Sequence, residues 1–118
     1  MEGAHAMKYE ELVERVREAT KNRIASRAVG TVAFQFNVTG ESEGAFYVEV
    51  SDGKINVEPY EYYDREVLIT TSEEILLQML DGKIRPMEAY INEQIEAEGN
   101  IRSLKYLPFG VEGKAVGK

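Results

Sequence analysis

"MLDGKIRPMEAYI", Met79 to Ile91, sets a glycine and a proline between two apolar stretches, and its reading decides what the rest of the chain can be. Gly82 stands where a left-handed residue ends a helix, and Pro86 suits the first turn of a new one, where its missing amide donor costs nothing. Upstream, Ile75, Leu76, Met79 and Leu80 share one helical face; downstream, Met87, Tyr90 and Ile91 share another. The first helix has its own start signal in Thr71-Ser72-Glu73-Glu74, with the Thr71 hydroxyl toward the amide near Glu74 and the Glu74 carboxylate reaching back, so it should begin at about Ser72. Two short helices with a corner between them could form a DNA-reading unit, a plain corner of a core, or a lid over a ligand.

Charge decides against the first. The chain carries a net charge of −7, and a recognition helix from Pro86 onward would present Glu88 and Glu93 where phosphate contacts need lysine or arginine, leaving only Lys83 and Arg85 at the turn. A nucleic-acid partner is therefore not expected. With 43% hydrophobic and 30% charged residues the 118-residue chain has the composition of one soluble globular domain, and no apolar run is long enough to span a bilayer, so no integral membrane association is expected either. There is no cysteine and no secretory signal pattern, which suits a cytoplasmic protein. Residues 1–6, "MEGAHA", read as a vector remnant before a native start at Met7, with a single domain over 7–118.

Outward from the corner, periodicity switches between 3.6 and 2. Tyr9, Leu12, Val13, Val16 and Ala19 or Thr20 make one face of an amphipathic helix from Lys8 to Asn22. "TVAFQFNVTG" alternates, with Val32, Phe34, Phe36 and Val38 inward and Gln35, Asn37 and Thr39 toward water. "ESEG" is a turn, "AFYVEVSDG" a second strand through Phe46, Val48 and Val50, and Asp52-Gly53 a hairpin signal returning "KINVEP" with Ile55 and Val57 inward. The three form an antiparallel meander. The tyrosine-rich "YEYYDRE" reads as a loop on the sheet edge, "VLIT" as a fourth strand, and "QIEAEG" as a fifth with Ile95 and Ala97 inward. Asn100 is an N-cap for "IRSLKYL", whose Ile101, Leu104 and Leu107 form a stripe ended by Pro108, and the glycine-rich "FGVEGKAVGK" should be poorly ordered or draped on the surface. The expected fold is α/β (α+β): a five-stranded, mainly antiparallel sheet with one apolar face, and amphipathic helices.

Chemistry-bearing constellations are scarce. The single histidine, His5, lies in the suspected remnant, so a metal site lacks ligands; Glu96 and Glu98 alternate outward, and Glu73-Glu74 fit a helix N-terminus. Gly40, Gly44 and Gly53 sit in hairpin turns rather than in a phosphate loop. No catalytic residue, metal or cofactor is expected.

The stretch Phe46 to Asn100 resembles the sterol carrier protein type 2 domain. The landmarks are Asp52-Gly53-Lys54 with Val57 and Pro59 after it, Ile69-Thr70, an apolar helix, Gly82-Lys83, Pro86, Ala89-Tyr90, and Ile95 leading to Gly99-Asn100, in order and without a gap. The resemblance implies a five-stranded sheet covered on one face by helices, with an apolar tunnel between the layers for a fatty acyl chain, acyl-CoA, sterol or other lipid. A site of that kind needs no polar motif, because each methylene removed from water contributes about 0.8 kcal/mol. Its lining would come from the inward faces: Phe34, Phe36 and Ile69 on strands; Leu76, Met79 and Leu80 on the first helix of the corner; Ile84, Met87, Tyr90 and Ile91 after the turn; and Ile101, Leu104 and Leu107 near the C-terminus. Met79 and Met87 stand out, since unbranched thioethers adapt to varied shapes.

Two features depart from the better-known carriers of that family. This chain is acidic where they are basic, and "VGK" is not a peroxisomal address. A stand-alone carrier of a hydrophobic small molecule, or an accessory subunit holding an acyl or isoprenoid intermediate for a partner enzyme, fits better than a peroxisomal transfer protein. The rival is an interaction module, a homodimer or a partner of a lipid-metabolising enzyme, with no ligand of its own.

Overall fold

Strict alternation in Thr31–Thr39 (β1) and Gly44–Ser51 (β2), closed by the turn at residues 40–43, puts Phe36 opposite Phe46 and Phe34 opposite Val48. In the computed structural model, which describes residues 8–21, 23 and 30–109, these strands form the centre of a five-stranded sheet. The other elements, in chain order, are α1 (Tyr9–Thr20), β3 (Lys54–Glu58), β4 (Val67–Ser72), α2 (Glu73–Leu80), α3 (Pro86–Ile91), β5 (Glu96–Gly99) and a 3-10 helix (Ile101–Tyr106).

The β2–β3 hairpin turns on Asp52 and Gly53, both at positive φ (55° and 82°), as a two-residue turn matched to strand twist requires. The sheet order is β3-β2-β1-β4-β5. Three pairings are antiparallel and β1–β4 is parallel, because the chain leaves β3 at one edge and must cross β2 and β1 before it can pair again. Across the inner face, Phe46, Phe36, Ile69 and Ala97 are successive cross-strand partners, so one row of apolar side chains runs from β2 to β5.

That crossing corrects the expected position of the tyrosine-rich loop. Rather than resting on the sheet edge, residues 59–66 run over the outer face: the Tyr62 amide donates to Gln35 Oε1 (3.0 Å), its hydroxyl donates to Glu49 Oε2 (2.9 Å), and its ring meets Tyr47 edge-on at 4.9 Å. The outer face of β1 is consequently dry at its middle, while Thr39 faces water as expected and Asn37 is half-buried. Ala33 and Gln35 are buried beneath the loop, and the Gln35 amide nitrogen donates to Asn37 Oδ1 at 3.0 Å.

The helices cover the inner face. Leu12, Val13 and Val16 of α1 are buried, the Tyr9 hydroxyl donates to the Ala45 carbonyl, and Arg17 Nε donates to the Val57 carbonyl at 3.1 Å, which fixes α1 against β2 and β3. Arg15 pairs with Asp81 at the end of α2 (2.5 Å), joining the two helices. α1 ends at Thr20 rather than Asn22, which is not among the described residues.

Three local expectations shift. The cap of α2 is Ser72, whose Oγ accepts from the Ile75 amide at 3.2 Å; Thr71 belongs to β4, so the reciprocal bond expected of Glu74 has no place. Glu73 instead accepts from Ser42 Oγ (2.5 Å) in the β1–β2 turn. Asn100 holds the N-cap position of the last helix but makes no side-chain cap bond: its side chain donates to Glu66 Oε2 (2.7 Å), to which Ser103 Oγ also donates (3.2 Å). The helix is 3-10, whose three residues per turn align Ile101, Leu104 and Leu107 at i, i+3 and i+6.

Phe109 is a further correction. It is buried, not draped on the surface, and its ring lies 5.5 Å from that of Phe36. The expectations for residues 1–6 and for 110–118 fall outside the described residues.

Candidate functional site

The corner between α2 and α3 is built as its glycine and proline suggest. Gly82 takes φ 79°, its amide donates to the Met79 carbonyl (3.2 Å), and the Lys83 amide donates to the Gln78 carbonyl (2.9 Å), the paired bonds that close a helix through a left-handed residue. Pro86 opens α3, and the Glu88 carboxylate accepts from the Arg85 amide at 3.1 Å. The chain between them borders a groove of about 300 Å³.

Ile84, Pro86 and Met87 form one wall of the groove; Leu104, Leu107 and Phe109 form the other, with Arg85 and Lys105 as its charged lining. Phe109 packs on Phe36, so the groove rests directly on the core. Other hollows in the described surface all carry carboxylates: Glu41, Glu73, Glu74 and Asp81, with Lys83, beside α2; Glu93 and Glu96 beside β5; and Glu14 and Glu18, with Arg17 and Lys21, on α1. An apolar chain is best received where the walls are apolar and no carboxylate must be desolvated, which singles out the groove at the corner.

Of the residues expected to line a lipid site, Ile84, Met87, Leu104 and Leu107 come together here. Phe34, Phe36, Ile69, Leu76 and Met79 have no exposed surface and Leu80 has almost none; they belong to the packed core, which Phe36 joins to the groove through Phe109. Tyr90 borders a separate hollow of about 580 Å³ with Ile95 and Ala97, and Ile101 packs on the core without reaching either space. Ile91 borders that second hollow and is 67% exposed, so it does not face the sheet as its spacing suggests. α3 is only six residues long, and its buried stripe is Pro86 and Ala89, which turns Ile91 outward.

Sequence reasoning missed Pro86 and Phe109 as wall residues. Pro86 was legible only as a helix start. Phe109 sits between a proline and a glycine, a context that suppresses any periodic signal, and its lone aromatic ring was the available hint.

The arrangement offers little for bond chemistry. Among the described residues, no three histidine, cysteine, aspartate or glutamate side chains could hold a metal ion. The phenols that the fold perturbs lie away from the groove. Burial pushes those of Tyr9 and Tyr47 up, with nearby carboxylates adding to the effect, and the hydrogen bond to Glu49 together with burial pushes up that of Tyr62. No helix of the described residues is long and apolar enough to cross a membrane.

Comparison with known proteins agrees with this layout. The model of the SCP-2 sterol transfer family matches residues 9–107. Among solved structures, Sterol Carrier Protein-2 like-3 of Aedes aegypti is similar at TM-score 0.60 and 12% identity, over 85% of this chain and 92% of that one. Palmitated SCP2L2 of Aedes aegypti gives TM-score 0.55 and 20% identity over 84% of this chain and 88% of that one. A GCN5-related N-acetyltransferase of Anabaena variabilis gives TM-score 0.57 and 14% identity over 82% of this chain but only 25% of that one, so the same fold also occurs as part of a longer enzyme. At these identities the likeness is one of fold. No curated protein matches by sequence.

Proposed function

Because the chain belongs to the SCP-2 sterol transfer family, we propose that it binds and carries a lipid with an extended apolar chain, without catalysis, in the groove between the α2–α3 corner and the 3-10 helix. Membership of the family supports lipid binding or transfer in general. The observation that carries the finer reading is the groove itself: six apolar residues from two separate stretches, 84–87 and 104–109, one of them the adaptable Met87, border about 300 Å³.

Shape and area suffice for such a ligand. About ten methylenes at about 0.8 kcal/mol each contribute roughly 8 kcal/mol, part of which is offset by the lost freedom of the chain. A fatty acyl, isoprenoid or sterol ligand of greater length extends the groove into a tunnel only if the side chains behind it, Phe36 and Met79 first, repack around it. A cytoplasmic carrier, or one that holds an intermediate for a partner enzyme, is consistent with a cysteine-free, acidic chain. The test is native mass spectrometry of protein purified without detergent or solvent. A stoichiometric amphiphile is expected, and its absence together with no uptake of a fluorescent fatty acid refutes the reading.

One observation favours a second reading. Ile91 is exposed beside β5, an edge strand of the sheet, and an apolar residue at an open edge suits a homodimer or an enzyme partner for which this chain is an accessory subunit. Sedimentation separates the two, since this reading requires a stable oligomer or complex lost in Ile91→Lys and no displaceable lipid.

A further inference from the structure

The sheet has two edges, β3 and β5, and the chain treats them differently. At β3, Arg17 Nε of α1 donates to the Val57 carbonyl. At β5, no main-chain partner lies beyond β4 among the described residues. The Asn100 amide donates to the Glu66 carbonyl (3.1 Å), and in the register that pairs Val67 with Gly99 this turns the main-chain groups of Glu98 and Glu96 toward β4. Ala97 and Gly99 therefore direct their N–H and C=O groups outward, along a strand that is largely exposed. Such edges are ordinarily blunted by lysine or proline, and residues 94–100, "QIEAEGN", carry neither. The charges here are Glu93, Glu96 and Glu98, all exposed and none in an ion pair among the described residues. Beside them lies apolar surface: Tyr90, Ile91, Ile95 and Ala97 wall the hollow of about 580 Å³, and Ile91 is 67% exposed.

Resting on the second reading above, that this edge is an interaction surface, we propose that β5 takes up an extended segment of a partner protein in which lysine or arginine alternates with valine, isoleucine or leucine. Added to the sheet as a further strand, the segment bonds to the free main-chain groups of Ala97 and Gly99. Its basic side chains share the outer face with Glu96 and Glu98. Its apolar ones, level with Ala97 on the inner face, fill the hollow against Tyr90 and Ile91. Charge selects this occupant over a second copy of the chain. Two β5 strands related by a twofold axis and paired through Ala97 set Glu96 of one copy against Glu98 of the other, like charges directly opposite. A basic strand turns that repulsion into cross-strand pairs, and the net charge of −7 draws it in. The corner groove shares no lining residue with this hollow, so occupation of one leaves the other open.

A capped, fluorescein-labelled peptide, Lys-Val-Lys-Val-Lys-Val-Lys, tests this on the full chain by fluorescence anisotropy and amide hydrogen exchange. Binding is expected to slow exchange at Ala97 and Gly99 by at least about tenfold and to leave Glu98, already bonded to β4, as it was. The same peptide N-methylated at every amide keeps its charge and loses its donors, and should bind at least about tenfold more weakly. Ile91→Lys, which sets a cation in the hollow, should weaken binding about tenfold, and Glu96→Gln/Glu98→Gln should weaken it several-fold, within the range of exposed ion pairs. Equal binding of the N-methylated peptide means that net charge alone attracts it and overturns the proposal. Unchanged exchange at Ala97 and Gly99, or undiminished binding by Ile91→Lys, overturns it as well. Should Ile91→Lys unfold, exchange in the parent protein decides alone. Sedimentation separates this inference from the reading beneath it: no peptide binding, with a dimer that Ile91→Lys dissolves, assigns the surface to a second copy and leaves that reading standing. No peptide binding by a monomeric protein removes this inference and the homodimer with it.

Discussion

Phe109, at the C-terminal end of the described residues, packs on Phe36 in the middle of the sheet, with ring centroids 5.5 Å apart and planes inclined by 32°. Phe36 is itself stacked on Phe46 at 4.9 Å, so three aromatic rings from β1, β2 and the tail form one continuous stack under the groove. The tail is thereby a structural member of the site.

Phe109→Ala is expected to destabilise the protein by about 3 kcal/mol, the lower part of the range for a buried phenylalanine because its outer edge faces the groove. Urea unfolding measures the loss. A cost below about 0.5 kcal/mol would mean that the ring packs only loosely in solution.

How much of this was legible follows from the kind of signal each element carries. The β1–β2–β3 meander could be read because alternation and the Asp52-Gly53 turn are local, and the α2–α3 corner because Gly82 and Pro86 act through their own backbone chemistry. The burial of Gln35 was hidden, since it depends on residues 59–66 crossing the outer face, a consequence of strand order that no local pattern encodes. The groove was half legible. Met87, Leu104 and Leu107 carry helical periodicity and Ile84 sits in the turn that Gly82 marks, whereas Phe109 acquires its role only from a contact with Phe36, 73 positions earlier in the chain.

The capping shift gives a direct test. Ser72→Ala removes the oxygen that accepts from the Ile75 amide and should cost about 1 kcal/mol, while Ser72→Asp, which restores an acceptor at the same position, should recover most of it. Thermal melts of the three proteins report the order. Equal melting of Ser72→Ala and the parent protein would return the cap to another residue.

Gly99, the last residue of β5, lies against the start of β4 at φ +114°, and a Cβ there would overlap the Glu66 carbonyl oxygen and press on Val67 Cα at 3.2 Å. Both backbone strain and the clash oppose any side chain, so Gly99→Ala should lose about 3 kcal/mol. Gly40 has a similar φ (+97°) but open space around it, and Gly40→Ala should lose only about 1 kcal/mol, the conformational part alone. Denaturant midpoints of the two variants measure the difference; similar losses would show that strain rather than contact governs Gly99.

The pH dependence on the alkaline side comes from the phenols of Tyr9, Tyr47 and Tyr62, all raised above the ordinary 10.0. A raised value means that the folded protein keeps protons which the unfolded chain releases. Their stabilising contribution is therefore complete below pH 10.0 and is lost as pH rises through the folded values. Tyr62→Phe deletes the group that donates to Glu49, so its unfolding midpoint should fall less steeply between about pH 9 and about pH 11 than that of the parent protein. At neutral pH the same change should cost about 1 kcal/mol for the lost bond. Parallel alkaline slopes for the two proteins would show that Tyr62 ionises alike in both states.

Met87 and Tyr90 lie three residues apart on α3 yet border different hollows, which makes them a matched pair for testing where a ligand sits. Both are only partly buried, so a tryptophan at either place can extend into open space and avoid the full 1–3 kcal/mol typical of overpacking a closed core. Met87→Trp should occupy the groove between Ile84 and Leu107 and reduce binding of a fluorescent fatty acid at least tenfold while the thermal melt stays near that of the parent protein. Tyr90→Trp, facing Ile95 and Ala97, should leave binding unchanged. If Met87→Trp binds normally, the groove at the corner is not the lipid site; if it unfolds, Met87 is core rather than wall. Reduced binding in Met87→Trp alone, with both variants folded, would place the chain of the ligand against the α2–α3 corner.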